Sequence, residues 1–219
     1  MTNDLTNDER PPATPADSMR LIREQRAAAG RRLFPSQLYF LVPWGLAWLI
    51  GFGLFFLRYG PNDRTYLSMP GWLPLVALLG LLGVSMVISA VASARAYRHM
   101  AGPSALKGAM YGWAFFLGFL SLGVSLARVS DELPPNDQGL LWAAASVALV
   151  GALHMAGGAV WHDKSLFALG VWLSLVNVAG VIAGPGWHSL VIALAGGGGL
   201  LAFGAVLAVR RRTWLAEPV

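Results

Sequence analysis

The sequence predicts an all-α, polytopic membrane protein with six transmembrane helices, arranged as three antiparallel hairpins with both termini in the cytoplasm. Of its 219 residues, 56% are apolar and only 12% are charged, whereas a soluble globular domain carries about 25% charged residues. Six stretches of about 20 residues are almost continuously apolar, and that length crosses about 30 Å of hydrocarbon at 1.5 Å per residue. Arginine and lysine collect on one side of these stretches, as they do in membrane proteins.

Residues beside the apolar stretches mark their boundaries. Gly71 directly precedes the second stretch, Arg95 follows it, and Arg210 follows the sixth. The fifth is the least continuous, because Ser174 and Asn177 interrupt it. Helices are predicted because none of the stretches shows the alternating pattern of a membrane barrel strand. The predicted spans are Leu38–Leu57, Trp72–Ala94, Gly108–Ala127, Gly139–Val160, Leu166–Gly184 and Ser189–Val209.

Aromatic residues and loop lengths support the same arrangement. The connections between spans 1 and 2, 3 and 4, and 5 and 6 are short, which favours three hairpins. Tryptophan and tyrosine occur near the span ends, where their amphipathic rings anchor helices at the membrane interface. These predicted anchors are Tyr39, Trp72, Tyr111, Trp142, Trp161, Trp187 and Trp214.

The distribution of positive charge predicts the orientation. One side of the predicted bilayer carries 13 of the 16 Lys and Arg residues, in 1–37, 95–107, 161–165 and 210–219. The other side carries only Arg58, Arg64 and Arg128. Cytoplasmic loops are enriched in Lys and Arg, so the first side is predicted to be cytoplasmic. The chain is therefore predicted to be a multi-pass protein of the cell membrane.

The chain divides into two tails, a basic segment and the span region. Residues 1–16 are polar and rich in proline, which predicts a disordered cytoplasmic tail. Residues 17–37 form a basic juxtamembrane segment with a helix predicted over 18–32, capped by Asp17 or Ser18. The six-helix domain covers 38–209, and 210–219 is a second basic cytoplasmic tail. The arginines predicted to contact anionic lipid are Arg20, Arg23, Arg26, Arg31 and Arg32, although such residues also act as topology determinants alone.

Small residues recur inside the spans, and two interpretations remain open for them. Serines in span 2 and alanines in span 4 repeat every four residues, as on helix faces that pack closely. The run Gly196–Gly199 in span 6 indicates either one very close helix contact or a helix break that exposes carbonyl groups to a cavity. The first and third hairpins also share Trp, Gly-Pro and Gly-Trp landmarks, which indicate either an internal repeat or the common length of membrane helices.

Polar residues within the spans form the candidate functional site. Lipid cannot hydrogen-bond these groups, so they either join helices together or line a solute pathway. The candidate polar seam consists of Tyr111, Ser121, Ser125, Arg128, His154, Ser174 and Asn177.

His154 is the candidate for chemistry inside the membrane. A metal or haem needs further ligands at the same depth, but His99, His162 and His188 all lie outside the predicted spans. Asn177 differs from His154 in depth by roughly 7 Å at 1.5 Å per residue, which argues against direct pairing. The sequence therefore predicts a neutral His154 bonded to a neighbouring helix, with no metal and no cofactor.

Several function classes are disfavoured. The chain has no cysteine, and all 11 acidic residues lie outside the predicted spans, whereas coupled transport commonly uses an intramembrane acid. Phosphate-binding loops, zinc-protease helices and serine-hydrolase elbows are absent from the sequence. The net charge of +5 follows membrane sidedness, so nucleic-acid binding is not predicted.

The predicted function is that of a non-catalytic accessory or structural membrane subunit with a membrane-protein partner. The alternative is a small transporter or permease subunit with a polar seam between its helices. Neither hypothesis predicts an enzyme.

The predicted orientation can be tested with reporter fusions. A reporter that is active only in the cytoplasm is expected to be active at both chain ends and inactive when inserted within 62–68, because positive charge retains both tails inside. The amount of each fusion protein in the membrane fraction of the cells is the control for expression. Activity at one end alone would contradict the orientation and the even number of spans.

Overall fold

The computed structural model describes residues 14–21, 38–97 and 103–216, and within these ranges it is helical with no strand. It contains six helical segments long and apolar enough to cross a membrane, which confirms the six predicted apolar spans. From Leu38 onward, the α-helices are α1 Leu38–Arg58, α2 Leu73–Tyr97, α3 Pro103–Val129, α4 Pro135–Trp161, α5 Lys164–Ala183, α6 Trp187–Val191 and α7 Gly198–Ala216.

The sixth span, Trp187–Val209, is composite. It comprises α6, a π-helical turn over Ile192–Gly197 and the first part of α7. Helix α7 then continues to Ala216, so part of the segment predicted as the second basic tail is helical. Short 3₁₀ turns at Pro61–Asp63 and Ser130–Glu132 lie in the connections after α1 and α3.

Near the N-terminus, residues 15–21 are helical, including two residues predicted to be disordered. The Thr14 hydroxyl accepts a hydrogen bond from the Asp17 backbone N–H at 3.1 Å and donates to the Asp17 carboxylate at 2.7 Å. Thr14 therefore caps this helix, and the predicted cap at Asp17 or Ser18 is wrong, because Pro15 suits the first helical position. Arg20 lies in this helix, whereas Arg23, Arg26, Arg31 and Arg32 lie outside the described residues.

Contacts among the described helices run in the order α3, α4, α5, sixth span, α1, α2. The sixth span and its two neighbours supply most of the buried core. Trp48 and Phe52 of α1, Leu173 of α5, and Ile192 and Ala193 of the π-helical turn belong to one buried apolar cluster. Helices α2 and α3, at the two ends of this order, expose large apolar side chains along most of their length, as a lipid environment requires.

The sixth span meets α1 backbone to backbone. A Cβ atom on Gly197 would lie 2.6 Å from the Leu49 nitrogen and 2.8 Å from the Gly45 carbonyl oxygen, so only glycine fits there. A Cβ atom on Gly196 would lie 3.0 Å from the Trp48 ring, so this glycine lets the ring pack closely against the sixth span. The glycine run therefore makes the close contact, and it also departs from α-helical geometry through the π-helical turn.

Helices α4 and α5 also approach each other at glycines. A Cβ atom on Gly158 would lie 2.5 Å from the Phe167 nitrogen, and one on Gly170 would lie 2.6 Å from the Met155 nitrogen. Most of the alanine row predicted to pack is instead exposed, at Ala148, Ala152 and Ala156. The two helices pack at glycines because glycine permits a closer backbone approach than alanine.

Adjacent glycines in the sixth span provide a matched pair of variants. We expect Gly197→Ala to lower the free energy of unfolding by about 1–3 kcal/mol, because the new methyl group meets backbone atoms of α1 that cannot move aside. Gly198 has no atom within 4 Å of its Cβ position, so Gly198→Ala should leave stability unchanged or raise it by up to about 1 kcal/mol. The free energy of unfolding of both variants can be measured in mixed micelles by circular dichroism. Equal changes in the two variants would contradict the contact of Gly197 with α1.

Candidate functional site

A buried polar cluster joins α4, α5 and the sixth span. The Asn177 amide nitrogen donates to the Ala144 carbonyl oxygen at 2.9 Å, and the Asn177 amide oxygen lies 3.0 Å from Nε2 of His188. Because the amide oxygen can only accept, Nε2 of His188 carries the hydrogen. Asn177 is 7% exposed and His188 2% exposed, so these bonds replace water inside the bundle.

His188 is the main correction to the sequence prediction. The sequence predicts it outside the spans, but it lies in the first turn of α6 and within the sixth span. Gly186 has φ of 79°, a conformation that favours glycine, and it lets α6 begin directly after the turn. A Cβ atom on Gly180 would lie 2.8 Å from the His188 ring, so this glycine makes room for the imidazole beside Asn177.

His154 has a different environment from the predicted one. Its Nδ1 atom lies 2.8 Å from the Val150 carbonyl oxygen of its own helix, so the predicted bond to a neighbouring helix is wrong. A side chain in a helix can reach the carbonyl group one turn earlier, and that group competes with more distant partners. The His154 ring contacts α3 through the edge-to-face arrangement with Phe115. Among the described residues, no group of three His, Asp or Glu side chains is placed to hold a metal ion.

The other seam residues do not converge on one site. The Tyr111 hydroxyl donates to the Leu153 carbonyl oxygen at 2.7 Å and joins α3 to α4. The Ser174 hydroxyl donates to the Gly170 carbonyl oxygen of its own helix at 2.9 Å. The remaining three residues, all on α3, are exposed: Ser121, Ser125 and Arg128.

Helix α3 has three distinct faces, as expected from a rotation of about 100° per residue. The face toward α4 is the least exposed and includes Tyr111, Phe115, Gly118, Leu122 and Leu126. The opposite face carries large exposed apolar side chains, namely Trp113, Phe116, Leu117, Leu120 and Val124. Between them lies the third face, here called the α3 seam, formed by Ala114, Ser121, Ser125 and Arg128.

The serines of the α3 seam differ from other serines in the spans. Ser85 donates to the Leu81 carbonyl oxygen at 2.8 Å, and Ser89 accepts from the Trp44 indole at 3.0 Å. Ser121 and Ser125, in contrast, form no hydrogen bond within the described part of the chain. Their hydroxyl groups are therefore both exposed and unsatisfied by this bundle.

Tryptophan side chains supply contacts that the sequence prediction missed. The Trp172 indole donates to the Ala195 carbonyl oxygen at 3.0 Å and so joins α5 to the π-helical turn, where Gly199 leaves room for the ring. The Trp142 indole donates to the buried Ser130 hydroxyl at 3.0 Å. Because a buried indole N–H needs an acceptor, tryptophans within a span were the available signal for such contacts.

Comparisons of the chain with protein-family models, with curated proteins and with solved structures find no match. Its six helices are long and apolar enough to cross a membrane, which indicates a multi-pass α-helical membrane protein. Within the described residues, every buried side-chain nitrogen or oxygen atom has a hydrogen-bond partner.

The Asn177–His188 bond can be measured by a double-mutant cycle. We expect Asn177→Ala and His188→Ala each to lower the free energy of unfolding by about 1–3 kcal/mol, because each leaves a buried polar partner unpaired. The double variant should lose less than the sum, with a coupling of about 1 kcal/mol. Ser174→Ala is the control, since its hydroxyl bonds only its own helix. Strict additivity would contradict the bond.

Proposed function

We propose that this protein is a non-catalytic accessory subunit of the cell membrane, with both termini in the cytoplasm, and that the α3 seam binds a helix of a partner membrane protein. The observation that carries the proposal is the exposure of Ser121 and Ser125 on a face that neither α4 nor another described helix covers. The side chains of the α3 seam are small or polar, whereas those of the opposite face of α3 are large and apolar.

In a bilayer, the α3 seam lies next to either lipid tails or another helix. Lipid tails offer no hydrogen-bond acceptor for a hydroxyl group, and they gain nothing from contact with small side chains. A partner helix supplies both a carbonyl acceptor and a close backbone approach. The rows of large apolar residues at Leu120 and Val124 need no such partner, because lipid solvates them well.

Arg128 supports the same assignment at one end of the seam. It lies in the last turn of α3 and is exposed, on the side predicted to face away from the cytoplasm. A side chain of this length reaches the headgroup level, where it meets either lipid phosphate or an acidic group of a partner. The partner helix is therefore expected to combine small or hydroxyl residues at mid-depth with an acceptor for arginine near its end.

Polar groups at the centre of the bundle support a non-catalytic function. Asn177 bonds both His188 and the Ala144 carbonyl oxygen of α4, and the Tyr111 hydroxyl donates to the Leu153 carbonyl oxygen. Groups that are held in this way orient helices, and their removal is expected to affect stability before it affects any reaction.

Photo-crosslinking from the seam tests the proposal. A photoreactive amino acid at Ser121, in protein expressed at native level in its own membrane, is expected to yield one discrete protein adduct whose partner is identified by mass spectrometry. The same amino acid at Leu120, which faces away from α4, is the matched control and should yield lipid adducts only. Ser125→Leu should reduce the Ser121 adduct at least about tenfold, because a bulky side chain blocks close approach.

Three outcomes would contradict the proposal. An adduct of the chain with itself would assign the seam to a second copy, and equal protein adducts at Ser121 and Leu120 would indicate random collision. If Ser125→Leu leaves folding and the Ser121 adduct intact but abolishes uptake of a solute into vesicles, the transporter alternative is favoured.

A further inference from the structure

The connections after α1 and after α3 meet at one end of the bundle and border an open cavity of about 480 Å³. This volume lies within the range of small-ligand sites, about 300–1,000 Å³. The cavity is lined by Arg58, Tyr59, Asp63, Thr65, Pro134, Pro135 and Asn136. It therefore has one cationic and one anionic side chain among neutral ones.

The cationic side is held in place by the loop that follows α1. Nε of Arg58 donates to the Met69 carbonyl oxygen at 2.9 Å, and Nη1 donates to the Thr65 hydroxyl at 3.2 Å. The guanidinium carbon also lies 4.9 Å from the centre of the Tyr59 ring. A guanidinium group has five N–H donors, so three remain for a ligand. Fixed donors of this kind suit a phosphate group.

The anionic side is held by a bond between the two loops. The Asn136 amide nitrogen donates to Oδ1 of Asp63 at 2.6 Å. Asn62 and Asp63 have φ values of 54° and 58°, a region that Asn and Asp tolerate better than most residues. This sharp turn after Pro61 brings the Asp63 carboxylate to the cavity, and its second oxygen is available to accept from a ligand. Among the described residues, Arg58 and Asp63 do not pair with each other.

The position of the cavity indicates the source of the ligand. Arg58 is the last residue of α1, and Asn136 is in the first turn of α4, so the cavity lies where two apolar spans end. Phospholipid headgroups occupy this level of a bilayer. A ligand that carries a phosphate and an amine at short separation would satisfy both charged walls at once.

We propose that this cavity binds the phosphoethanolamine headgroup of a phospholipid, with the phosphate at Arg58 and the ammonium group at Asp63. The proposal is independent of the partner site on α3. The cavity is expected to prefer phosphatidylethanolamine to phosphatidylcholine, whose quaternary ammonium cannot donate a hydrogen bond to Asp63. It is also expected to prefer phosphatidylethanolamine to phosphatidylglycerol, whose headgroup has no cation for that carboxylate.

Native mass spectrometry of the purified protein tests the proposal. With the three phospholipids supplied in equal amounts in mixed micelles, the wild-type protein should retain phosphatidylethanolamine in preference to the other two. Asp63→Asn should reduce its preference over phosphatidylcholine about tenfold, the loss expected for one charge-assisted hydrogen bond. Asparagine still accepts from Asn136 and tolerates a positive φ, so the loop is preserved. Asp137→Asn, which removes the same charge beside the cavity, is the matched control and should have no effect.

Soluble phosphoethanolamine, which has no acyl chains, identifies the source. If it displaces the lipid only in large excess, the bilayer supplies the ligand; if it competes at equal concentration, the same headgroup chemistry comes from a soluble compound. The proposal would be overturned if the wild-type protein retained all three lipids equally, or if Asp63→Asn left the preference unchanged. It would also be overturned if the free amino acid glycine, which has no phosphate group, displaced the lipid as well as phosphoethanolamine does.

Discussion

Backbone-to-backbone contact at glycines is the constraint on which the rest of this bundle depends. In a bilayer, apolar side chains gain little by leaving lipid, so helices associate where their backbones come close enough for dense packing and hydrogen bonds. Gly197 of the sixth span meets the backbone of α1, and Gly158 and Gly170 bring α4 and α5 together in the same way. The π-helical turn is part of this contact, because Ala195 in that turn accepts from Trp172 of α5. The sixth span thus contacts both α1 and α5.

The polar cluster follows from that packing. Once α5 and the sixth span are held together, Gly180 leaves space for the His188 ring, and Asn177 bonds both His188 and α4. The centre of the bundle is therefore satisfied internally, whereas the helices at its edges present their side chains outward. The exposed serines of the α3 seam and the charged side chains of the loop cavity are the two places where we propose that another molecule binds.

The spans could be predicted from the sequence because apolar length and flanking arginines depend on local residues alone. The pairing of Asn177 with His188 could not, since it requires a tight turn at Gly186 that brings the histidine inside the sixth span. The bond of His154 to its own helix, and the choice of glycines over alanines in α4, also depend on the orientation of each helix face. In the glycine run, the structure shows the close helix contact at Gly197, and the helix continues through the π-helical turn.

An engineered disulfide tests the central contact most directly, since the chain contains no cysteine. A Cβ atom on Gly204 would lie 3.3 Å from the Leu41 Cβ, close to the separation in disulfides, about 3.5–4.5 Å. Cysteines at these two positions, oxidised in the membrane, should form an intramolecular disulfide that protects both thiols from alkylation, as measured by intact-mass spectrometry. Cysteines at Leu41 and Gly198 form the control pair and should remain alkylated. Full alkylation of the Leu41–Gly204 pair would contradict the packing of α1 against the sixth span.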